Sequence, residues 1–198
     1  MPLLIADPDA EPIIIRKRMT LAEFNALPDD PERDRFLIQG ELWDLPMTKR
    51  NRRHARVEAQ IAFLLKLWLR SRGSDFGNVF SGEVGCDLPN METGVGIDVA
   101  VFSAEVLNRQ LPNAPYIVGA PVLAVEILSP SDTVELTDTK TQNYIEAGVK
   151  FVWIINTVLQ TVTVHSPGVP PTMLRLHEEL VGDPHLPGLV IPVRSIFE

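Results

Sequence analysis

One cysteine, Cys86, is the only thiol in this chain of 198 residues, so no disulfide can form within it. Long apolar runs are missing too: the richest, from Ile61 to Leu65, is cut by Lys66, far short of the eighteen or more residues of a membrane span. No charged-then-apolar leader with a cleavage site precedes the first predicted helix, and together these absences predict a cytoplasmic protein. Positive charge is in deficit, with 18 Lys+Arg against 26 Asp+Glu and a net charge of −8. That balance argues against a generic nucleic-acid coat, which meets phosphates with a basic surface, but it permits basic residues gathered on one side. The chain has no GxxxxGK[ST] loop, no CxxC pair and no GxSxG turn, which removes P-loop, zinc-ribbon and serine-hydrolase readings. Cys86 lies inside a strand-like run rather than at a helix start, where a thiolate would be favoured. No internal repeat or low-complexity tract appears.

What is present fits one globular domain: 45% hydrophobic and 22% charged residues, in a chain long enough to bury a substantial core. Residues 1–19, with Pro2, Pro8 and Pro12, read as an N-terminal arm that adds an edge strand near Ile13–Lys17, and residues 20–198 as the domain. Thr20 and Glu23 form a capping box for a short helix, ended by Pro28. Gln39-Gly40 joins Phe36–Ile38 to Glu41–Leu45 as a tight hairpin. A long helix is predicted from Arg53 to Arg72, a half-buried strand from Gly77 to Leu88, and a turn at Gly94–Gly96. Ser103 to Ala120, with Pro112 and Pro115, reads as a loop or short helix suited to substrate contacts. Val122 to Ile155 is a strand, helix and parallel strand, the helix running over 138–147 from Thr137 as N-cap to Gly148. Thr161–His165 pairs back as a hairpin, and a proline-rich tail follows.

Two of these strands are almost wholly apolar, yet each carries one acid. In Gly96–Phe102, alternation puts Asp98 on a face with Ala100 and Phe102, opposite Ile97, Val99 and Val101. In Pro121–Leu128, Glu126 shares a face with Val122, Ala124 and Leu128. Strands apolar on both sides are covered on both sides, where an unpaired carboxylate is costly. Two carboxylates about 4 Å apart repel by roughly 4 kcal/mol at an effective dielectric of 20, a conflict that a divalent cation removes. Oxygen ligands with room for water suit magnesium, with manganese as the second choice. Lys140 and Tyr144 fall on the inward face of the following helix, which aims an ammonium at the strand ends that carry the acids. Metal-assisted hydrolysis is the chemistry that this set supports.

The run of an acid in a strand, then VEILSPS, Lys140, Tyr144 and AGVKFVWIIN closely resembles the Uma-type putative restriction endonucleases, a branch of the PD-(D/E)XK nuclease superfamily. The resemblance covers roughly Thr20 to Phe197. It implies an α/β restriction-endonuclease-like core, a central mixed β-sheet flanked by helices, and Mg-dependent hydrolysis of DNA phosphodiesters. In that family the lysine has moved from the strand to the next helix, consistent with Leu128 two residues after Glu126. The resemblance makes Asp98, Glu126 and Lys140 the catalytic set, with Asp98 and Glu126 as metal ligands. Three positions depart from the family pattern: Ile97 in place of proline, Phe36 in place of an early glutamate, and Gln39 in place of aspartate.

Supporting candidates lie elsewhere. His54 and Glu58 begin the buried stripe of the long helix, and by resemblance a first-helix acid reaches the metal site; the bland reading makes both structural partners. Glu83 sits on the more polar face of its strand, either near the acids or in solvent. Lys49, Arg50, Arg52, Arg53 and Arg56 crowd a helix start, where positive charge opposes the helix dipole, so a phosphate partner or a solvated basic turn explains them. His165, His177 and His185 have no ligand spacing and read as surface residues. The competing functions are a family member that binds DNA or a protein without cutting, and a structural trio in which Lys140 neutralises two acids. Scission of both strands of a duplex suits two-fold symmetry, so a homodimer is expected.

Overall fold

A computed structural model of the protein describes residues 17–47, 51–72, 76–129 and 132–198. Most of the expected edge strand at 13–17 lies outside them; Lys17–Arg18 (β1) pairs antiparallel with Glu41–Pro46 (β3). Between them come the helix Leu21–Asn25 (α1), with the capping box of Thr20 and Glu23 in place, and Arg33–Ile38 (β2). Strands β2 and β3 form the expected hairpin, and Gln39 (φ 51) and Gly40 (φ 73) adopt the left-handed conformations of a two-residue turn.

The long helix is Arg52–Arg70 (α2). Asn51 caps it by accepting from the amides of Arg53 and His54, which lets a helix begin inside a basic run. Its buried residues His54, Val57, Ile61, Leu65, Trp68 and Leu69 recur at three- and four-residue steps. Gly77–Leu88 (β4) follows, then Thr93–Ser103 (β5). Gly94–Gly96 is therefore not a turn but part of β5, because its backbone pairs along β4 from Asp87 to Gly85. The chain continues through Ala104–Leu107 (α3), Ile117–Val118 (β6), Leu123–Leu128 (β7), Val134–Ala147 (α4) and Phe151–Asn156 (β8). Helix α4 starts one turn earlier than expected: the Thr133 hydroxyl, not that of Thr137, accepts the first free amide, and Leu136 is buried in the added turn. Gly148 ends it at φ 104.

Thr161–Ser166 (β9) and Val169–Leu174 (β10) complete the main sheet, while Glu179–Val181 (β11) and Val190–Pro192 (β12) form a small second one before Arg194–Phe197 (α5). The result is a mixed α/β architecture, a ten-stranded sheet flanked by helices. Strands β7 and β8 are parallel, as a crossover requires, and β8 is buried between β7 and β9. One core lies between α2 and β5, β7 and β8; the other lies beneath α4 and the β2–β3 hairpin. Among the described residues no helix is long and apolar enough to cross a membrane.

One feature of this sheet positions the site. β4 runs along one edge of β5, so β7 (at Val99 to Val101) and β2 (at Gly94) share the other edge. Between those contacts the sheet forks. Opposite the fork β4 bulges between Ser81 and Val84, with Gly82 (φ 88) and Glu83 (φ 56) left-handed. A bulge adds local twist. The pleat of β5 changes phase here: Ile97 packs with Ala100 and Phe102 rather than with Val99 and Val101, and Asp98 turns toward α2 instead of sharing their face.

Candidate active site at the sheet fork

Asp98 and Glu126 stand at the fork because the β5–β7 ladder stops one residue short of them, at Val99 and Val125. The Asp98 carboxylate takes over there: Oδ2 accepts from the Ile127 amide at 2.7 Å, a role that a neighbouring carbonyl would otherwise fill. Buried to 4% exposure, Asp98 leans toward α2, where His54 Nε2 lies 3.3 Å from Oδ2. Glu126 leans the other way, toward α4. It accepts from the Tyr144 hydroxyl at 2.6 Å and lies 3.8 Å from Lys140 Nζ. Both carboxylates open on one cavity of about 550 Å³, also lined by Lys140 and Glu83.

His54, one turn before Glu58, is completely buried, and Nδ1 is 3.7 Å from Glu58 Oε2. Neither ring nitrogen makes a hydrogen bond among the described residues. Glu58 is itself held by the Gly82 amide of the bulge, 2.7 Å from Oε1. Ligand atoms of His54, Glu58 and Asp98 lie within 4.8 Å of one another, close enough to share a cation. Glu126 is not in this group; its partners, Lys140 and Tyr144, are on α4.

Burial pushes the Glu126 carboxyl up to about 7; Lys140 opposes this, the Asp98 charge adds to it, and the Tyr144 hydrogen bond opposes it. Burial, with Glu126 beside it, likewise raises the Tyr144 phenol well above its ordinary value. Burial also pushes the Cys86 thiol up to about 12, which leaves it inert as a nucleophile.

The raised carboxyl has a consequence for stability. In the metal-free protein the fold holds a proton on Glu126 up to about 7, whereas an ordinary glutamate releases it near 4.5. The folded state therefore binds more protons between those values, and raising pH through them destabilises it. Denaturant melts in a chelator should show roughly 2–3 kcal/mol less stability at pH 8 than at pH 4.5 from this group, and Glu126→Gln should remove that slope. A divalent cation should flatten it too, since the ion takes the place of the proton.

The structure sorts the remaining candidates. Lys49 and Arg50 lie outside the described residues. Arg52 and Arg53 are exposed at the start of α2. Arg56 is also exposed, and its guanidinium donates through Nη2 to the Phe197 carbonyl at 2.9 Å and to that of Glu198, tying α2 to α5. Glu83 lines the cavity from the bulge. His177 and His185 are exposed and His165 half-buried, away from the fork. Two contributors were not foreseen. Phe36, which stands at the early-acid position, places its ring 4.7 Å from Lys140 Nζ and so confines the ammonium. Asp132, whose Oδ2 accepts from the Ser129 amide at 2.6 Å, brings a further charge near Glu126. The sequence Ser-Pro-Ser-Asp after the strand is the signal that marks it.

A family model described as Uma2, putative restriction endonuclease, matches residues 21–194. Among solved structures, the chain is similar to a putative nuclease belonging to DUF820 from Anabaena variabilis ATCC 29413. That likeness has a TM-score of 0.77 at 20% identity and covers 90% of this chain and 97% of the other. At that identity it speaks for the fold. No curated protein matches the chain.

Proposed function

Because the chain belongs to the Uma2 family of putative restriction endonucleases, we propose that it is a metal-dependent endonuclease that hydrolyses phosphodiester bonds in DNA at the fork between β2 and β7. The observation that carries this reading is the meeting of Asp98, Glu126 and Lys140, from two strands and a helix, on one cavity. The residues fit a divalent cation on their own chemistry. His54 is a buried imidazole with two unsatisfied nitrogens between carboxylates, a state that calls for a missing partner. Asp98 and Glu126 offer the oxygen donors that magnesium or manganese takes, and His54 and Glu58 add a mixed nitrogen and oxygen set on the other side of Asp98. When bound, such an ion supplies Lewis acidity toward a phosphoryl oxygen and makes water more acidic.

The chain's own groups do the rest. Lys140, confined by Phe36 and aimed along Glu126, meets an anionic phosphoryl oxygen and balances charge that develops there. Tyr144 fixes the rotamer of Glu126, and the Ile127 amide fixes that of Asp98. Arg52 and Arg53, exposed at the α2 start, receive the flanking backbone. Removing one phosphate contact with Arg53→Ala should lower the salt dependence of DNA affinity by about one unit of slope.

The deciding experiment is a metal titration followed by incubation with plasmid and single-stranded DNA. Cleavage in magnesium or manganese, absent in chelator, is expected. Salt-sensitive binding with no cutting in either metal would instead leave a binding module, and neither binding nor cutting would end the nucleic-acid reading.

A further inference from the structure

The wall of the cavity carries an aromatic side chain that none of the chemistry above uses. Tyr116 lines the cavity and is 37% exposed. Its position is set by backbone pairing, since β6 runs parallel to β4 with Ile117 opposite Cys86 and Val118 opposite Asp87. Gln110 locks that segment from the other side: its amide nitrogen donates to the Val106 and Val118 carbonyls, and its oxygen accepts from the Val118 amide at 2.8 Å.

Beneath the tyrosine the sheet carries no side chain at Gly85. Gly85 and Gly96 are cross-strand partners in the β4–β5 pair, and Gly94 stands opposite Asp87. A Cβ on Gly85 would meet Tyr116 Cδ1 at 2.4 Å, so only glycine lets the ring lie this close to the sheet. Gly96 is two residues from Asp98, about 7 Å along an extended strand. An aromatic ring packed closely on the sheet at Gly85 thus lines the same cavity as the carboxylates.

Charge around the cavity narrows what enters it. Acids outnumber bases among its described lining residues, and the basic ones are paired: Arg33 with Asp44, Arg35 with Asp30 and Asp44, and Lys140 with Glu126. Such a cleft repels a duplex, which brings two phosphate backbones, more than a single strand. Within the cavity, binding must then come from a contact that does not depend on free cations. Stacking of a base on an aromatic ring is such a contact, and it tolerates any sequence because every base has a π-face.

We propose that Tyr116, seated on Gly85, is a stacking platform for a nucleobase next to the scissile phosphate, and that the substrate is a single-stranded or locally unpaired nucleic acid. This rests on the nuclease reading and adds to it the form of the substrate and a positioning residue. A single strand is cut by one site, so the two-fold pairing that duplex scission calls for is not required.

The test uses full-length protein carrying Glu126→Gln to suppress cleavage, with magnesium present. Its probes are a short oligothymidylate, an abasic strand of equal length and charge, and a duplex. The oligothymidylate should bind more tightly than the other two. Tyr116→Ala should weaken its binding about tenfold while leaving the abasic strand unchanged, and Tyr116→Phe should match the parent. An oligonucleotide containing 2-aminopurine should change its emission on binding the parent and not on binding Tyr116→Ala, a signal that a merely structural tyrosine would not move. Circular dichroism melts confirm that the variants are folded. Equal binding by parent and Tyr116→Ala, an abasic strand bound as tightly as oligothymidylate, or a duplex bound more tightly than either overturns the platform while leaving the nuclease reading intact. Failure of every probe to bind overturns both.

Discussion

Asp98→Asn should reduce DNA cleavage by about a thousandfold, the upper end of what one lost electrostatic contact at a reacting centre costs. The substitution separates two roles of this side chain. Asparagine retains an oxygen that can accept from the Ile127 amide, 2.7 Å away in the parent, so the strand end should hold. It loses the charge that faces His54 and Glu58 on one side and Glu126 on the other. Metal affinity should therefore fall with activity while the thermal midpoint changes little. Calorimetric titration with manganese, a cleavage assay and a thermal melt on the same preparation check this. Retained metal binding and cleavage would show that Asp98 serves only the sheet. Asp98→Ala is the less informative variant, because it also leaves the buried Ile127 amide without its acceptor.

Lys140→Met should lower the cleavage rate by about a hundredfold with little change in metal affinity, as removal of one donor to a developing oxyanion does. Methionine keeps much of the length and the contact with Phe36 but not the ammonium. In the metal-free protein it should also raise the Glu126 carboxyl further, since the lysine is the largest influence holding it down. Single-turnover rates at saturating metal isolate the first effect, and the pH dependence of metal binding reads the second. A variant that cuts at the parental rate would reduce Lys140 to a partner that merely neutralises buried acid. The two substitutions thus divide the proposed machinery, one acting on affinity for the ion and the other on the rate beyond it.

Much of the fold was legible because it is written in short-range pattern. The β2–β3 hairpin, the capping box at Thr20, the stripe from His54 to Trp68 and the all-apolar β8 each follow from residues a few positions apart. The two strand acids stood out because apolar neighbours made them expensive. What escaped needs long-range register. Nothing local tells that β2 and β7 share one edge of β5, and therefore that a gap opens at Asp98. The bulge at Gly82–Glu83 is equally silent, and with it went the facing of Asp98, inferred from unbroken alternation. Thr133 and Thr137 are equivalent caps by residue type; burial of Leu136 decides between them. The bond from Arg56 to the Phe197 carbonyl is equally hidden, because its partner lies more than a hundred residues away.

The placement of Lys140 on α4 rather than on β7 changes what governs its reach. Side chains on a strand switch faces in all-or-none steps, so a strand lysine is either in the site or out of it. A helix seated through Leu136 and Tyr144 can roll or slide by fractions of an ångström as those contacts are repacked. Under the proposed reaction, the strength of the ammonium's hold on a substrate would then drift gradually over evolutionary time, through neutral-looking exchanges of apolar residues, without any change to the acids themselves.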